Sequence, residues 1–174
     1  MAEIKWAESA HHLPIEGFSP NPKNPKKHTK KQLEHIRNSI LHFGFLDPIG
    51  VWGKDHVVVE GHGRLEALKQ LVQDGKIRIP AEGVPCIMLD HLSKRDRDAY
   101  MLEHNQSTME TPWDDDLLDD VLGDIANEGL DMEPFGFEMP GEMHRQRQRC
   151  SGSWNIRRWS SSTWMTPLRW DMPN

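Results

Sequence analysis

Cysteine is scarce in this chain. Cys86 and Cys150 are two in 174 residues, too few for a disulfide framework or a thiolate zinc site. No run of about 18 apolar residues occurs, which excludes a transmembrane helix. The opening MAEIKWAESAHH has no apolar stretch of the kind a secretory signal needs, so a cytoplasmic location is expected. Positive charge is also short: the net charge is -6, which argues against a purely electrostatic nucleic-acid binder. Three phosphate and metal signatures are missing: G-x-x-x-x-G-K-[ST], G-x-G-x-x-G and H-E-x-x-H.

What is present is polar and modest in core. Hydrophobic residues make up 36% of the chain, enough for one domain with an appendage. Charge is uneven. Residues 145–174 hold six arginines and one acid, a local balance of +5, which leaves -11 for the rest. Four of the seven tryptophans (Trp154, Trp159, Trp164, Trp170) sit in that same stretch. It has neither a 2-residue nor a 3.6-residue period. We read it as an unfolded or non-native extension rather than a nucleic-acid arm, and place the domain over 3–137 and the tail over 138–174.

The periodic segments are legible. EIKWAES predicts a short strand. PNPKNPKKH, residues 20–28, is extended and turning because its prolines preclude a helix, and Lys23, Lys26 and Lys27 make it locally positive. Thr29 and Gln32 have capping-box spacing ahead of Leu33, Ile36, Ile40 and Phe43, with Gly44 at a left-handed C-terminal position. PIGVW, Gly53-Lys54-Asp55 and HVVVE predict a hairpin, its second strand buried on both faces. Leu65, Leu68, Leu71 and Val72 mark a helix. VPCIMLD is another buried strand, with Cys86 a small core residue. Ser93 caps a further helix with Asp96 at the third position. Trp113, Leu117, Leu118, Val121, Leu122 and Ile125 trace the last, with Asp114 to Asp116 at its N-terminus.

One junction asks for a chemical explanation. In VVVEGHGRLEALKQL a buried strand meets a helix through Gly61-His62-Gly63-Arg64 with no spacer. Backbone N–H groups and a helix N-terminus converge there, a ready anion site. The glycines let the backbone approach a phosphate, Gly63 at a positive φ. Arg64 can bind phosphate bidentately, and His62 can donate a hydrogen bond or shuttle a proton. A tight turn with Arg64 paired to a surface acid accounts for the same four residues. Ten histidines, among them the pair His11-His12 and His35 with His42, show no metal-ligand spacing, so no metal site is expected. Asp114, Asp115, Asp116, Asp119 and Asp120 form a solvated face with dipole partners.

Three segments taken together, NPKNPKKHTKKQLEHIRNSILHFGFLDPIGVW, VVVEGHGRLEALKQL and VPCIMLDHLSKRDRDAYMLEHNQ, resemble the ParB/sulfiredoxin superfamily. The match is to the ParB-like N-terminal domain, of the type encoded in phages and mobile elements beside DNA methyltransferases. The resemblance implies an α/β (α+β) fold, a small mixed sheet with surrounding helices. It also implies that Gly61, His62, Gly63 and Arg64 hold a nucleoside triphosphate, CTP or ATP with Mg2+. Asn24, Pro25, Lys26 and Lys27 then face the phosphates, and Asn105 stands where a family asparagine assists magnesium binding and hydrolysis. Leu65 replaces the second arginine of partition proteins. His104 replaces the acid before the asparagine, with Glu103 one residue earlier. His62 stands where sulfiredoxin needs a cysteine, so sulfiredoxin chemistry is not expected.

The functions implied are a nucleotide-binding module in DNA partition, modification or regulation; a nuclease or phosphotransferase with Glu60, His62 and Glu103 as acid–base residues; or a non-catalytic adaptor. Expected partners are DNA, directly or through another protein, a methyltransferase or other phage protein, and a second copy of the chain. The helix-turn-helix and dimerisation segments of partition proteins have no counterpart in the sequence, so a stand-alone or truncated module is expected.

Overall fold

The structure is a computed structural model, and it describes residues 10–139. The strand expected over EIKWAES and the Trp/Arg-rich stretch 145–174 lie outside the described residues. The described residues fall into two units: 10–114 with 132–138, and a second containing 115–131.

Four strands form one mixed sheet in the first unit: β1 (His11–Leu13), β2 (Ile49–Trp52), β3 (Val57–Glu60) and β4 (Val84–Met88). Their spatial order is β1-β4-β2-β3. β2 pairs antiparallel with β3 and parallel with β4, and β1 closes the other edge antiparallel to β4. The expected hairpin is the β2–β3 pair, with a register shift between Gly50 and Val51. The fold is therefore the α/β architecture expected, a small mixed sheet with helices around it. β1 was not foreseen. His11 and His12 are exposed as a surface pair should be, but they also carry an edge strand.

In the apolar run Val57–Val59, Val58 and Val59 are buried on opposite faces because both faces of the sheet are covered, and Val57 is half-buried. Ile49, Val51, Val58 and Cys86 point to one side and pack with Leu65 and Leu68 of α2 (His62–Gln73) and with Ile15 and Phe18. Val59 points the other way, to Leu89 and to Met101 of α3 (Lys94–Glu110). Successive strand side chains alternate in just this manner. Burying these Val, Leu and Ile side chains stabilises the unit by about 1.5–3 kcal/mol each.

The helix caps follow the sequence closely. Thr29 Oγ1 accepts from Gln32 N–H at 3.1 Å ahead of α1 (Lys30–Phe43). Ser93 Oγ accepts from Asp96 N–H at 3.1 Å while Asp96 Oδ2 accepts from the Ser93 hydroxyl at 2.8 Å. Gly44 departs from expectation. Its φ of 90° and ψ of 179° are not left-handed helical but mirror-image extended, a region only glycine enters cheaply. That geometry turns the chain from α1 towards β2. In the second unit α4 (Asp115–Asn127) ends at Gly129, φ 92°, whose N–H bonds to Ala126 C=O at 3.0 Å. Asp115 and Asp116 occupy its first turn, as the dipole favours.

Candidate functional site

The turn after β3 is built on Gly61. Its φ of 85° and ψ of 18° are left-handed, and its carbonyl accepts the Leu65 N–H at 2.9 Å, closing the first turn of α2. The N–H groups of His62, Gly63 and Arg64 are consequently first-turn donors with no intrahelical acceptor. Gly63 does not have the positive φ expected of it. It is a glycine for another reason: a Cβ there would stand 2.9 Å from Cε1 of His28, whose imidazole lies across the turn.

The Pro/Lys segment is set beside this turn by the backbone. Ser19 bridges to Val57 on the outer edge of β3, with Val58 N–H donating to Ser19 C=O at 2.9 Å. Two consecutive Asn-Pro-Lys units follow. In each the asparagine Oδ1 accepts the N–H two residues on, Asn21 from Lys23 at 3.0 Å and Asn24 from Lys26 at 3.2 Å. These are Asx turns, the reason for asparagine at both places. Asn21 is buried and its amide donates to Met101 Sδ at 3.3 Å, which ties the segment to α3.

The result is a pocket of about 200 Å3 whose walls include Asn24, Lys26, His28, Glu60, the whole 61–64 turn, His104, Asn105 and Thr108. Of the residues expected at the site, Asn24, Lys26, Glu60, Gly61, His62, Gly63, Arg64 and Asn105 are brought together. Lys27 and Glu103 are not: both are exposed and neither is a wall of this pocket. On α3 a one-residue step turns the side chain by about 100°, so His104 faces the pocket while Glu103 does not. His28, Thr108 and Asn21 were missed. His28 could have been found from its place just before the Thr29 cap. The described residues also form an apolar groove of about 390 Å3 walled mostly by hydrocarbon, Ile40, Phe45, Leu68, Ile77 and Ile79 among others. It offers little to an anion, so chemistry rather than size singles out the pocket at 61–64.

The electrostatics are specific. Arg64 pairs with the Asp47 carboxylate and donates at 3.0 Å to the Pro48 carbonyl. Its Nε is buried without a partner, as is Nε2 of His62. Burial, reinforced by the adjacent His28, holds the His62 pKa down at about 4, so the ring is neutral at pH 7. Glu60 Oε2 accepts from the Tyr100 hydroxyl at 3.1 Å and lies 3.4 Å from His104 Nε2. Asn105 donates to the Met101 carbonyl within α3. Cys86 is fully buried, and burial pushes its thiol pKa up. It is a core side chain. Among the described residues no three His, Cys, Asp or Glu side chains are placed to hold a metal, and no helix is long and apolar enough to cross a membrane.

Comparison with known proteins follows the same lines. Residues 2–105 match the family described as the ParB N-terminal domain. A probable chromosome-partitioning protein ParB of Campylobacter jejuni is 37% identical over 62 residues, 34% of this chain and 22% of that protein. The chain thus spans under a quarter of that relative's length. The ParB-like nuclease domain-containing protein YnaK of Escherichia coli is 30% identical over 80 residues, 46% of this chain and 82% of that one. The fold is similar to that of C-terminally truncated chromosome-partitioning protein ParB from Caulobacter crescentus complexed with CTP-γ-S, with a TM-score of 0.55 and 19% identity over 86% of this chain and 89% of the other. The chain belongs to the ParB N-terminal domain family.

Proposed function

We propose that this domain binds a nucleoside triphosphate, CTP or ATP, through its phosphates. One observation carries the reading. Three first-turn N–H groups, Lys26 and two side chains with unpartnered buried nitrogens surround one pocket that has a single carboxylate, Glu60, in its walls. Phosphate oxygens are the acceptors that such a set lacks. Gly61 and Gly63 add no side chain of their own to the turn, and the guanidinium of Arg64 and the imidazole of His28 lie over them instead. The CTP-γ-S bound by the Caulobacter relative supports the reading for this fold. Mg2+ fits as a companion of the nucleotide. With Glu60 alone nearby, phosphate oxygens and water would supply most of its ligands, its usual arrangement.

Under this reading the module works in DNA partition, modification or regulation, in a phage or mobile element. Its partners under this reading are DNA, directly or through another protein, a methyltransferase or another phage protein, and a second copy of this chain; the net charge of -6 favours the indirect route to DNA. Equilibrium dialysis with labelled CTP, ATP and GTP plus Mg2+ tests the core claim. One nucleotide is expected to bind with a dissociation constant below about 1 mM, and Lys26→Ala to weaken it about tenfold or more, one charge-assisted bond being worth about 1.5–3 kcal/mol. Failure of all three to bind leaves the adaptor reading.

A further inference from the structure

The ring of His28 is held from two sides. It lies across the 61–64 turn: a Cβ on Gly63 would stand 2.9 Å from Cε1 and 3.1 Å from both ring nitrogens. On the other side is the first turn of α1, set one residue on by the Thr29 cap. From that turn Gln32 reaches back, its Oε1 3.1 Å from His28 Nδ1. In a complete capping box this glutamine would return to the backbone N–H of the cap residue. Here it serves the imidazole instead. The ring is half-buried and is a wall of the phosphate pocket.

This hydrogen bond fixes a tautomer. An amide oxygen only accepts, so Nδ1 carries the hydrogen, and in the neutral ring Nε2 is a bare lone pair. Nε2 has no hydrogen-bond partner among the described residues. A lone pair cannot serve an ionised phosphate oxygen, which also only accepts. A proton on Nε2 turns it into a charged donor. The charged and titratable groups that share the pocket with His28 are Lys26 from its own segment, Glu60 from β3, His62 and Arg64 from α2, and His104 from α3. Lys27 is its neighbour in the chain, and α1 presents the neutral Gln32 and Ile36. Glu60 is the single acid in those walls, so the empty pocket offers an imidazolium little negative charge. A triphosphate reverses that, since an opposite charge within about 4–6 Å favours the charged form. Resting on the nucleotide reading above, we propose that His28 is a phosphate-binding residue of this pocket, that it takes up a proton at Nε2 as the nucleotide binds, and that Gln32 positions it by holding Nδ1–H. The proton comes from solvent, so binding tightens as pH falls, by at most about tenfold per pH unit for one proton.

Calorimetry of CTP, ATP and GTP with Mg2+, in buffers of different ionisation enthalpy, counts the protons. Near neutral pH wild type should take up a measurable fraction of one proton more than His28→Gln, whose amide can donate but cannot charge. Titration of the nucleotide itself is common to both proteins and cancels. Wild type should bind about 5- to 15-fold tighter than His28→Gln near pH 6, the difference between a charged and a neutral hydrogen bond. The two should converge near pH 8, since histidine charges between about pH 5 and 8. Gln32→Glu sets a carboxylate against Nδ1 and should move the pH dependence of binding to higher pH. Both variants should keep the wild-type circular dichroism. Nitrogen NMR of the ligand-free protein near pH 8 should find His28 as the Nδ1–H tautomer. Equal proton uptake by wild type and His28→Gln, a ratio of affinities that ignores pH, or an Nε2–H tautomer overturns the proposal while leaving nucleotide binding intact. No binding of any nucleotide overturns both.

Discussion

Arg64 turns back from the helix N-terminus and pairs with Asp47, two residues before β2, while its Nε is left buried and unpartnered. Asp47 is 68% exposed at its side chain, against 25% for Arg64. A phosphate in the pocket would thus compete with a weak, solvent-screened partner. Asp47→Asn is expected to tighten triphosphate binding about 1.5- to 5-fold, since an exposed pair is worth about 0.2–1 kcal/mol. Calorimetry with CTP and ATP reads this directly. A weakened affinity would mean that Asp47 holds Arg64 ready rather than away.

The two glycines of the turn should fail differently. Gly61 has φ of 85°, so Gly61→Ala is expected to cost about 1–2 kcal/mol of stability through the left-handed backbone. Gly63 has no such strain, but an added Cβ meets the His28 ring at 2.9 Å. Gly63→Ala should leave the denaturation midpoint closer to wild type and instead displace His28 from the pocket, weakening nucleotide about tenfold or more. Urea unfolding of both variants, set beside their affinities, separates the two effects.

Thr29→Ala is expected to destabilise the protein by about 1 kcal/mol, because it frees the Gln32 N–H at the start of α1. The reciprocal half of the capping box is not made. Gln32 Oε1 meets His28 Nδ1 at 3.1 Å instead. Gln32→Ala should accordingly cost less stability than Thr29→Ala and act mainly on His28. Equal losses in urea unfolding would contradict this division.

His62 makes stability depend on pH. Its folded pKa is depressed from 6.5 to about 4, so between those values the unfolded chain holds a proton that the folded one lacks. Stability should be full above pH 6.5, fall as pH drops towards 4, and level off below. His62→Gln should flatten that part of the curve. The check is thermal unfolding of both proteins across pH 4 to 7.

Much of the fold was legible because local chemistry specifies it. The caps at Thr29 and Ser93, the period of α2 and the apolar run Val57–Val59 each follow from neighbours within a few residues. β1 was not legible: three residues, His11–Leu13, with two polar and exposed, show no period. In the site, Gly61 and Arg64 were visible as a motif. The roles of Asn21, His28 and His104 were not, because each rests on a contact across the fold: Asn21 with Met101 80 residues away, His28 over Gly63, His104 beside Glu60. Glu103 is an acid one residue from the position where the resemblance implies one, but the facing of α3 gives the pocket wall to His104.

Isothermal calorimetry of wild type and Arg64→Ala against CTP, ATP and GTP with Mg2+ tests most directly that the 61–64 turn holds a triphosphate. Wild type should bind one of them tighter than about 1 mM, and Arg64→Ala about 10- to 150-fold more weakly, the loss of one charged hydrogen bond at about 1.5–3 kcal/mol. Both proteins should keep the same circular dichroism. Arg64→Ala binding as tightly as wild type, or wild type binding none of the three, would contradict the account and leave the glycines and Arg64 as a turn closed by Asp47.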